Sequence, residues 1–293
     1  LLELVKELAN EYKTRGIEVL INSPFLPHFQ LLVEHLAKVT PKHVGIDTHN
    51  HNEYFPEKGT TYFNILEEAD YCVGVFCLPK GSSLNLHDHP NMLVVSKFLT
   101  GSVHYRSMDL VDRSNQVKLP KLLFQEDAPD VVGKKLEAIV KAEKIFTAGE
   151  INYLTPEKGN IHRFTALEDT ALLDILLPNY NEDDHYCNYY IEEMELKLAN
   201  GSYMSVEDDK VEEKKKTNGE DDKEHAEMKD QKSSSDAKNS ISNAKLPRPG
   251  EMTTLIYSLP PLDQEIELVP YRGEKFDLNA KKTKEHCIKN TNK

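Results

Sequence analysis

Apolar residues at the start of the chain recur with the spacing of an α-helix. They stand at positions 1, 4, 5, 8, 9 and 12, and Gly16 follows where a capping glycine is expected at the C-terminal end of a helix. A second apolar face predicts a helix over residues 29–37, and Pro41 lies just beyond its end. Both helices are predicted to pack against the remainder of the fold.

Beyond Gly45 the pattern changes to short β-rich runs that Gly, Pro and Asn separate. Thr100-Gly101 joins two of these runs as a hairpin turn would. Many short strands at such spacing predict a mainly β fold, either a sandwich or a closed barrel. The predicted strands are residues 71–78, 92–99, 102–108, 144–147, 152–155, 171–177 and 253–258.

A charged segment interrupts this pattern over residues 205–250. It has no aromatic residue and few aliphatic ones. So little apolar surface does not offset the entropy cost of ordering the chain, and we predict a disordered insertion. The predicted organisation is an N-terminal helical segment (1–45), a barrel core (46–204), the insertion (205–250), a C-terminal strand that completes the barrel (251–280) and a basic tail (281–293).

The composition argues against several classes of function. A net charge of −13 over 293 residues disfavours a nucleic-acid partner. The apolar runs are strand-length, well short of the roughly 18 residues of a membrane span, so no membrane partner is expected. Four cysteines with no C-x-x-C pair favour a reducing compartment, the cytoplasm with the nucleus as a second location. The first residues are already amphipathic and charged, so no secretory signal is expected. The protein is predicted to be a monomer.

The most distinctive local feature is the sequence LHDHP at residues 86–90. In a strand, side chains two positions apart point to the same face, so His87 and His89 would project together. Paired neutral imidazoles suit a divalent metal, although two exposed turn histidines before a proline would give the same pattern. His162 follows a tight turn and begins an alternating apolar run, so it can supply a third ligand from another strand.

Other histidines give weaker evidence of a metal site. His49 and His51 also have the H-x-H spacing, but they lie in a polar loop and no third ligand accompanies them. His104 is interpreted as a satisfied core or rim histidine in a strand.

The spacing of these segments resembles the two motifs of the cupin family. The first motif corresponds to Gly81, His87, His89 and Gly101, and the second to Gly149, Pro156, Gly159 and His162. The resemblance implies a cupin barrel (a double-stranded β-helix or jelly roll) with the N-terminal helices outside it and a metal inside. The glutamate usual in cupins is replaced by Leu93 or Val94, so the implied ligands are three neutral histidines. Both apolar residues are expected to keep the cavity dry.

Within the cupins, the chain is similar to the thiol dioxygenase branch of plant cysteine oxidases and animal cysteamine (2-aminoethanethiol) dioxygenase. The matching stretches are residues 86–92, 96–102, 159–162, 173–176, 187–190 and 270–276. This resemblance implies Fe(II) on the three histidines and transfer of O2 to a thiol, which gives a sulfinic acid. Asn91 stands where the branch usually has glycine, and Asn179 stands where a second proline is common; neither is expected to touch a ligand.

Four further residues are candidates for the site. Asp174 is a charge within an apolar strand, so it is interpreted either as an acceptor for a ligand imidazole or substrate ammonium, or as a structural ion-pair partner. The resemblance implies a role for Tyr180 near the substrate; packing on the barrel rim is the alternative. Cys187 and Tyr189 share a face, and the resemblance allows a thioether crosslink between them, with a buried free cysteine as the expected state.

The predicted function is therefore a non-haem iron thiol dioxygenase. Its substrate is expected to carry an amine and a thiol two carbons apart. A protein N-terminal cysteine is preferred because no arginine for a substrate carboxylate can be identified. The family implies oxygen sensing through the N-degron pathway. The alternatives are a metabolic dioxygenase of cysteamine or free cysteine, and a non-catalytic cupin binding module with a vestigial metal site.

Overall fold

The computed structural model describes residues 1–47, 49, 51–115, 132–181, 186–199, 245–258 and 266–272. Most of the insertion predicted over 205–250 and all of the predicted tail 281–293 lie outside these residues. The chain divides into a larger unit, Leu1–Glu193 with Pro247–Lys293, and a smaller one, Met194–Leu246. Of the smaller unit, the structure describes residues 194–199, which are helical, and 245–246.

The described elements begin with helices and continue almost entirely as strands. The helices are α1 (Leu2–Arg15), α2 (Glu18–Ile21), α3 (Pro27–Leu36), α4 (His51–Tyr54) and α5 (Glu193–Ala199), with short 3-10 turns at Ser23–Phe25, Pro41–Val44 and Arg113–Asn115. The strands are β1 (Thr60–Glu68), β2 (Tyr71–Leu78), β3 (Ser83–His87), β4 (Leu93–Phe98), β5 (Ser102–Leu110), β6 (Lys135–Thr147), β7 (Ile151–Leu154), β8 (Ile161–Ala166), β9 (Thr170–Leu177), β10 (Tyr189–Glu192), β11 (Met252–Ser258) and β12 (Ile266–Leu268). Within the described part of the chain, no helix combines the length and apolarity needed to cross a membrane.

The strands form two sheets that enclose a common core. One is a six-stranded sheet in the order β12-β1-β2-β9-β4-β7, and the other closes on itself in the order β10-β11-β6-β5-β8-β3. Leu78, Phe98 and Leu172 from the first sheet share one buried cluster with residues of the second, among them Val103 and Phe164. Two facing sheets, one of them closed, confirm the prediction of a mainly β cupin barrel.

The N-terminal helices cover the outer face of the first sheet, as predicted. Strand β9 shows how alternation divides its side chains. Leu173 and Ile175 join the cluster that contains Val5 and Leu8 of α1, whereas Leu172 belongs to the core between the sheets. Helix α1 ends at Gly16, whose φ of 74° lies in the region that glycine adopts at low cost.

Several predicted strands match observed ones, and other observed strands were missed, among them β1 and the first part of β6. The run 71–78 coincides with β2, and 171–177 lies within β9. Strand β1 was missed because it is buried on both faces at its start and has an irregular register near Asn64, so it lacks alternation. The first part of β6 was missed because it is rich in Ala, Glu and Lys, which are uncommon in strands. Its pairing with β5 and β11 outweighs this low strand propensity.

A buried arginine connects four strands of the closed sheet. The Arg106 side chain on β5 is fully buried and donates to both carboxylate oxygens of Glu192 at 3.0 and 2.8 Å. It also donates to Glu143 Oε2 at 2.8 Å and to the carbonyl oxygen of Pro247 at 2.8 Å. Thr253 on β11 donates to the same Glu192 carboxylate at 2.7 Å. The network therefore joins β5, β6, β10 and β11.

Replacing the arginine tests whether this network stabilises the barrel. Arg106→Met leaves the Glu192 carboxylate buried without its cation, and we expect the free energy of unfolding to fall by about 3–5 kcal/mol. Arg15→Met removes an exposed 3.4 Å pair with Glu11 and should cost less than about 1 kcal/mol. Urea denaturation of both variants measures the two losses. Equal losses would contradict the assignment.

Candidate metal centre

Three histidines meet in the space between the two sheets. His87 ends β3 and pairs across the ladder with His162 on β8, while His89 follows two residues after His87. Their metal-binding atoms all lie within 4.8 Å of one another. The second sheet thus brings together the three residues that the spacing of the two motifs predicted. Among the His, Cys, Asp and Glu residues that the structure describes, these three histidines form the group that could hold a metal ion.

Hydrogen bonds fix the orientation of each ring. Nδ1 of His87 lies 2.7 Å from the carbonyl oxygen of Asn85, and Nδ1 of His162 lies 3.2 Å from that of Asn160. Nδ1 of His89 lies 2.5 Å from the Tyr180 hydroxyl. When Nδ1–H donates to these oxygens, each Nε2 keeps its lone pair for a metal.

The contact between two of these nitrogens indicates that the site fits a cation. Nε2 of His87 and Nε2 of His89 lie 3.1 Å apart. Two lone pairs at that distance repel unless a proton or a metal ion lies between them. Because both Nδ1 positions already have oxygen partners, a metal ion suits this arrangement better than a shared proton.

Burial keeps the three imidazoles neutral. It lowers the pKa of His87, and it lowers the pKa values of His89 and His162 well below the ordinary value. Charge repulsion between the histidines lowers the last two further. Neutral imidazole is the form that binds metals.

Two polar residues that the sequence analysis did not single out hold the ligand segments. The Asn160 side chain accepts from the His89 backbone N–H at 2.9 Å and donates to the His89 carbonyl at 2.8 Å, so it ties the two histidine motifs together. Asp88 is fully buried and accepts hydrogen bonds from Asn188 and Tyr190. The sequence could have indicated Asp88, because a carboxylate stands there between two candidate ligand histidines. For Asn160 the sequence offers only its position two residues before His162.

Tyr180 contacts a ligand directly. Besides the hydrogen bond to His89, its ring stacks on that imidazole with the ring centroids 5.4 Å apart. Asn179 holds the backbone at this point: its Oδ1 accepts from the Tyr180 N–H at 2.8 Å, and its Nδ2 donates to the Glu68 carbonyl at 3.1 Å. Both of these hydrogen bonds are to the backbone. Asn179 thereby orients Tyr180, which contacts the ligand.

Cys187 and Tyr189 lie together beside this tyrosine. The Cys187 thiol makes hydrogen bonds with the hydroxyls of Tyr180 and Tyr189, and the Tyr189 ring lies 6.3 Å from that of His87. Burial, with a smaller contribution from the charge of Asp88, raises the pKa of Cys187 to about 12. The thiol is therefore protonated at neutral pH, and the two side chains predicted to meet near the site do so.

Asp174 faces the core between the sheets but does not hold a ligand histidine. It lies on β9 on the same face as Leu172 and Leu176, and its one described side-chain hydrogen bond is with Ser96. The expectation that it accepts from a ligand imidazole is wrong, since each Nδ1 has another oxygen partner. Its Oδ1 is buried and has no hydrogen-bond partner. Burial raises the pKa of Asp174 to about 7.

An apolar wall lies next to the histidines. Val94 shares a cluster with Met92, Leu154 and Leu176, against which Tyr180 packs. Val94 therefore faces the interior, the side on which it was expected to keep the cavity dry. For Leu93 that expectation is wrong, because the alternation of β4 turns that side chain towards the N-terminal helices.

The family model PCO_ADO matches residues 33–275, which include every element of the site. The chain belongs to the PCO_ADO family. Plant cysteine oxidase 1 of Arabidopsis thaliana is 34% identical over 174 residues, 56% of this chain and 54% of that protein. The 2-aminoethanethiol dioxygenase of Homo sapiens is 36% identical over 140 residues, 44% of this chain and 51% of that protein.

The chain thus spans about half the length of these curated relatives. Among solved structures, a Klebsiella pneumoniae protein with a double-stranded β-helix domain aligns with 49% of this chain and 94% of its own, at 16% identity and a TM-score of 0.30.

The backbone conformation of Asn91 accounts for its residue type. This residue has a φ of 57°, the left-handed region that favours glycine. Asparagine is one of the few other residues that adopt this conformation readily. Asparagine therefore suits this turn after His89, where the sequence analysis expected glycine.

Two histidines outside the metal centre, His51 and His104, have other partners. His51 lies 2.9 Å from Asp169 and stacks on Phe55, and His104 lies 3.2 Å from Glu143. His104 is therefore a rim histidine with a carboxylate partner, in agreement with the sequence analysis.

The raised pKa of Asp174 predicts a specific pH dependence of stability. Folding raises this pKa from 3.8 to about 7, so between these values the folded chain keeps a proton that the unfolded chain releases. Its contribution to stability is thus present at low pH and is lost, by about 1.4 kcal/mol per pH unit, as the pH rises towards 7. Asp174→Asn lacks the charge. We expect it to be more stable than the wild type at pH 8 and equally stable near pH 4.

Urea denaturation of the metal-free chains across this range measures the difference. Ser96→Ala is the matched variant, because the hydroxyl stabilises the charged carboxylate. Its loss should move the midpoint of the pH effect upwards. Parallel profiles for the wild type and Asp174→Asn would show that the carboxyl is already ionised throughout.

Proposed function

We propose that this protein is a non-haem iron dioxygenase that converts the thiol of an aminothiol, R–SH, and O2 into the sulfinic acid R–SO2H. Both oxygen atoms go to sulfur, and the substrate supplies the electrons, so no other reductant is needed. Membership in the PCO_ADO family supports this class of reaction, since the matched relatives are named as a cysteine oxidase and a 2-aminoethanethiol dioxygenase.

The observation that carries the proposal is the ligand set. His87, His89 and His162 bring three neutral donors together, and the metal-binding group of the described residues contains no carboxylate. Fe(II) bound there keeps its full charge and has open positions for a thiolate and O2. A metal centre that draws its anionic ligand from the substrate suits a thiol.

The chain's own residues prepare this site in three ways. Asn85, Asn160 and Tyr180 hold the imidazoles in the tautomer that presents Nε2. Next to them, Met92, Val94, Leu154 and Leu176 exclude water from the reacting groups. The unpartnered Oδ1 of Asp174 faces the same core, where it can accept a hydrogen bond from the substrate ammonium.

A protein N-terminal cysteine is the substrate we propose, ahead of free cysteine. Free cysteine would present a carboxylate that calls for a cation. The buried guanidinium of Arg106 is occupied by Glu192 and Glu143, and Arg113 binds the carbonyl oxygens of Pro156 and Glu157. In this proposal the enzyme reports O2 by marking proteins for the N-degron pathway in the cytoplasm and the nucleus.

Removal of a ligand tests the metal centre. His87→Ala, His89→Ala and His162→Ala each delete one of three ligands, and we expect each to abolish iron binding and turnover. His104→Ala is the matched control, because His104 lies in the same sheet and pairs with Glu143. It should bind iron as the wild type does. The iron content of each variant is measured by metal analysis after anaerobic loading. A full complement of iron in one of the histidine variants would show that the replaced residue is not a ligand.

The substrate class is tested on the iron-loaded wild type. Admission of air to a peptide with N-terminal cysteine should add two oxygen atoms to it, detected by mass spectrometry. The same peptide with an acetylated N-terminus, and cysteamine, are the comparisons. Oxidation of cysteamine alone would favour the metabolic enzyme. Iron binding with no oxidation of either would favour a binding module.

A further inference from the structure

The closed sheet is completed at one of the metal ligands. Strands β3 and β10 are joined through a single pair of residues, His87 opposite Tyr189. Directly beyond that pair, the backbone N–H of Asp88 donates to the Asn188 carbonyl at 3.0 Å. The junction that closes the barrel therefore lies at His87 and Asp88, in the segment that carries two of the metal ligands. At this junction the strand ladder supplies a single residue pair.

The Asp88 side chain reinforces this junction. Its Oδ1 accepts from the backbone N–H of Asn188 at 2.8 Å and from the Asn188 amide at 3.0 Å. Its Oδ2 accepts from the same amide at 2.9 Å and from the Tyr190 hydroxyl at 2.7 Å. The carboxylate is fully buried, so these charge-assisted bonds are shielded from water.

The position of Asp88 in the sequence makes this anchoring specific. Its neighbours His87 and His89 carry imidazoles that meet at the metal centre, whereas its own side chain is bound by Asn188 and Tyr190. Fixing the middle residue of the three restricts the backbone of both neighbours. The residues on either side of Asn188 are Cys187 and Tyr189, so the same bonds fix the segment that packs against Tyr180 and His87.

We infer that Asp88 is a positioning residue that sets the separation between the metal ligands and the Cys187–Tyr189 side of the cavity. This inference rests on the proposed metal centre. Asp88 is not a ligand in this assignment, because its two oxygens are occupied by Asn188 and Tyr190. Its replacement should loosen the ligand pair and the facing wall together.

The test compares two buried carboxylates, Asp88 just after β3 and Glu192 on β10. Asp88→Asn places an amide NH2 group against donors, so one of its hydrogen bonds is lost and another becomes a repulsive contact. Glu192→Gln perturbs the Arg106 network in the same way, but Glu192 is not bonded to the ligand segment. Tyr190→Phe removes one donor to Asp88 and leaves the carboxylate in place.

Two properties are measured for each chain. The affinity for Fe(II) is determined anaerobically against a competing chelator, and the visible absorption of bound Co(II) reports the ligand geometry. We expect Asp88→Asn to bind about 10–100-fold more weakly, with a changed Co(II) spectrum, as for other residues that orient metal ligands. Tyr190→Phe should bind several-fold more weakly. Glu192→Gln should lose stability in urea and keep the wild-type affinity and spectrum.

Each outcome decides between the alternatives. A wild-type chain that binds no metal would overturn the proposed function and this inference with it. A wild type that binds metal, beside an Asp88→Asn with the same affinity and spectrum, would overturn the inference alone. Equal weakening in Glu192→Gln would reduce Asp88 to a general stabilising role. If Asp88→Asn does not fold, Tyr190→Phe decides by the same two measurements.

Discussion

The constraint on which the structure depends is the burial of three neutral imidazoles whose lone pairs point at one another. Such an arrangement needs a cation among the lone pairs, and its burial requires that every other polar atom of the rings has a partner. The fold meets this condition locally: two backbone carbonyls and a tyrosine hydroxyl accept from the three Nδ1 atoms. The remaining ring nitrogens then lie close together, an arrangement that suits a dipositive ion.

This constraint explains why polar residues cluster around an otherwise apolar barrel. Asn160 joins the two histidine motifs, Asn179 orients Tyr180, and Asn188 meets Asp88 across the closing strands. The amides of Asn160 and Asn179 each donate and accept, so each connects two backbone segments. The Asn188 amide donates to both oxygens of the Asp88 carboxylate. The apolar cluster around Val94 supplies the complementary part, a buried wall against which Tyr180 packs.

Much of this architecture was readable from the sequence, and the exceptions have physical reasons. The two-residue period placed His87 and His89 on one face, and the turn before His162 indicated a third ligand. The same rule could not decide between Leu93 and Val94, because adjacent residues face opposite sides and the register was unknown. Nor could it assign an acceptor to each imidazole: the Asp88–Asn188 contact spans 100 positions, and Asn160 reaches back 71. Local patterns predict which way a side chain points, whereas its partner depends on which strands become neighbours.

The Arg106 network has a consequence for how this family can diversify. The chain leaves the closed sheet after Glu192 and returns to it with β11, a few residues beyond Pro247, and both Glu192 and Pro247 are bonded to the same guanidinium. The two ends of the intervening segment are thus fastened to one another by the barrel. The entropy of closing a loop between fixed ends grows only logarithmically with its length. Evolution can therefore lengthen, shorten or replace that segment and leave the register of the strands unchanged, which makes this point of the barrel a natural site for acquiring new sequence.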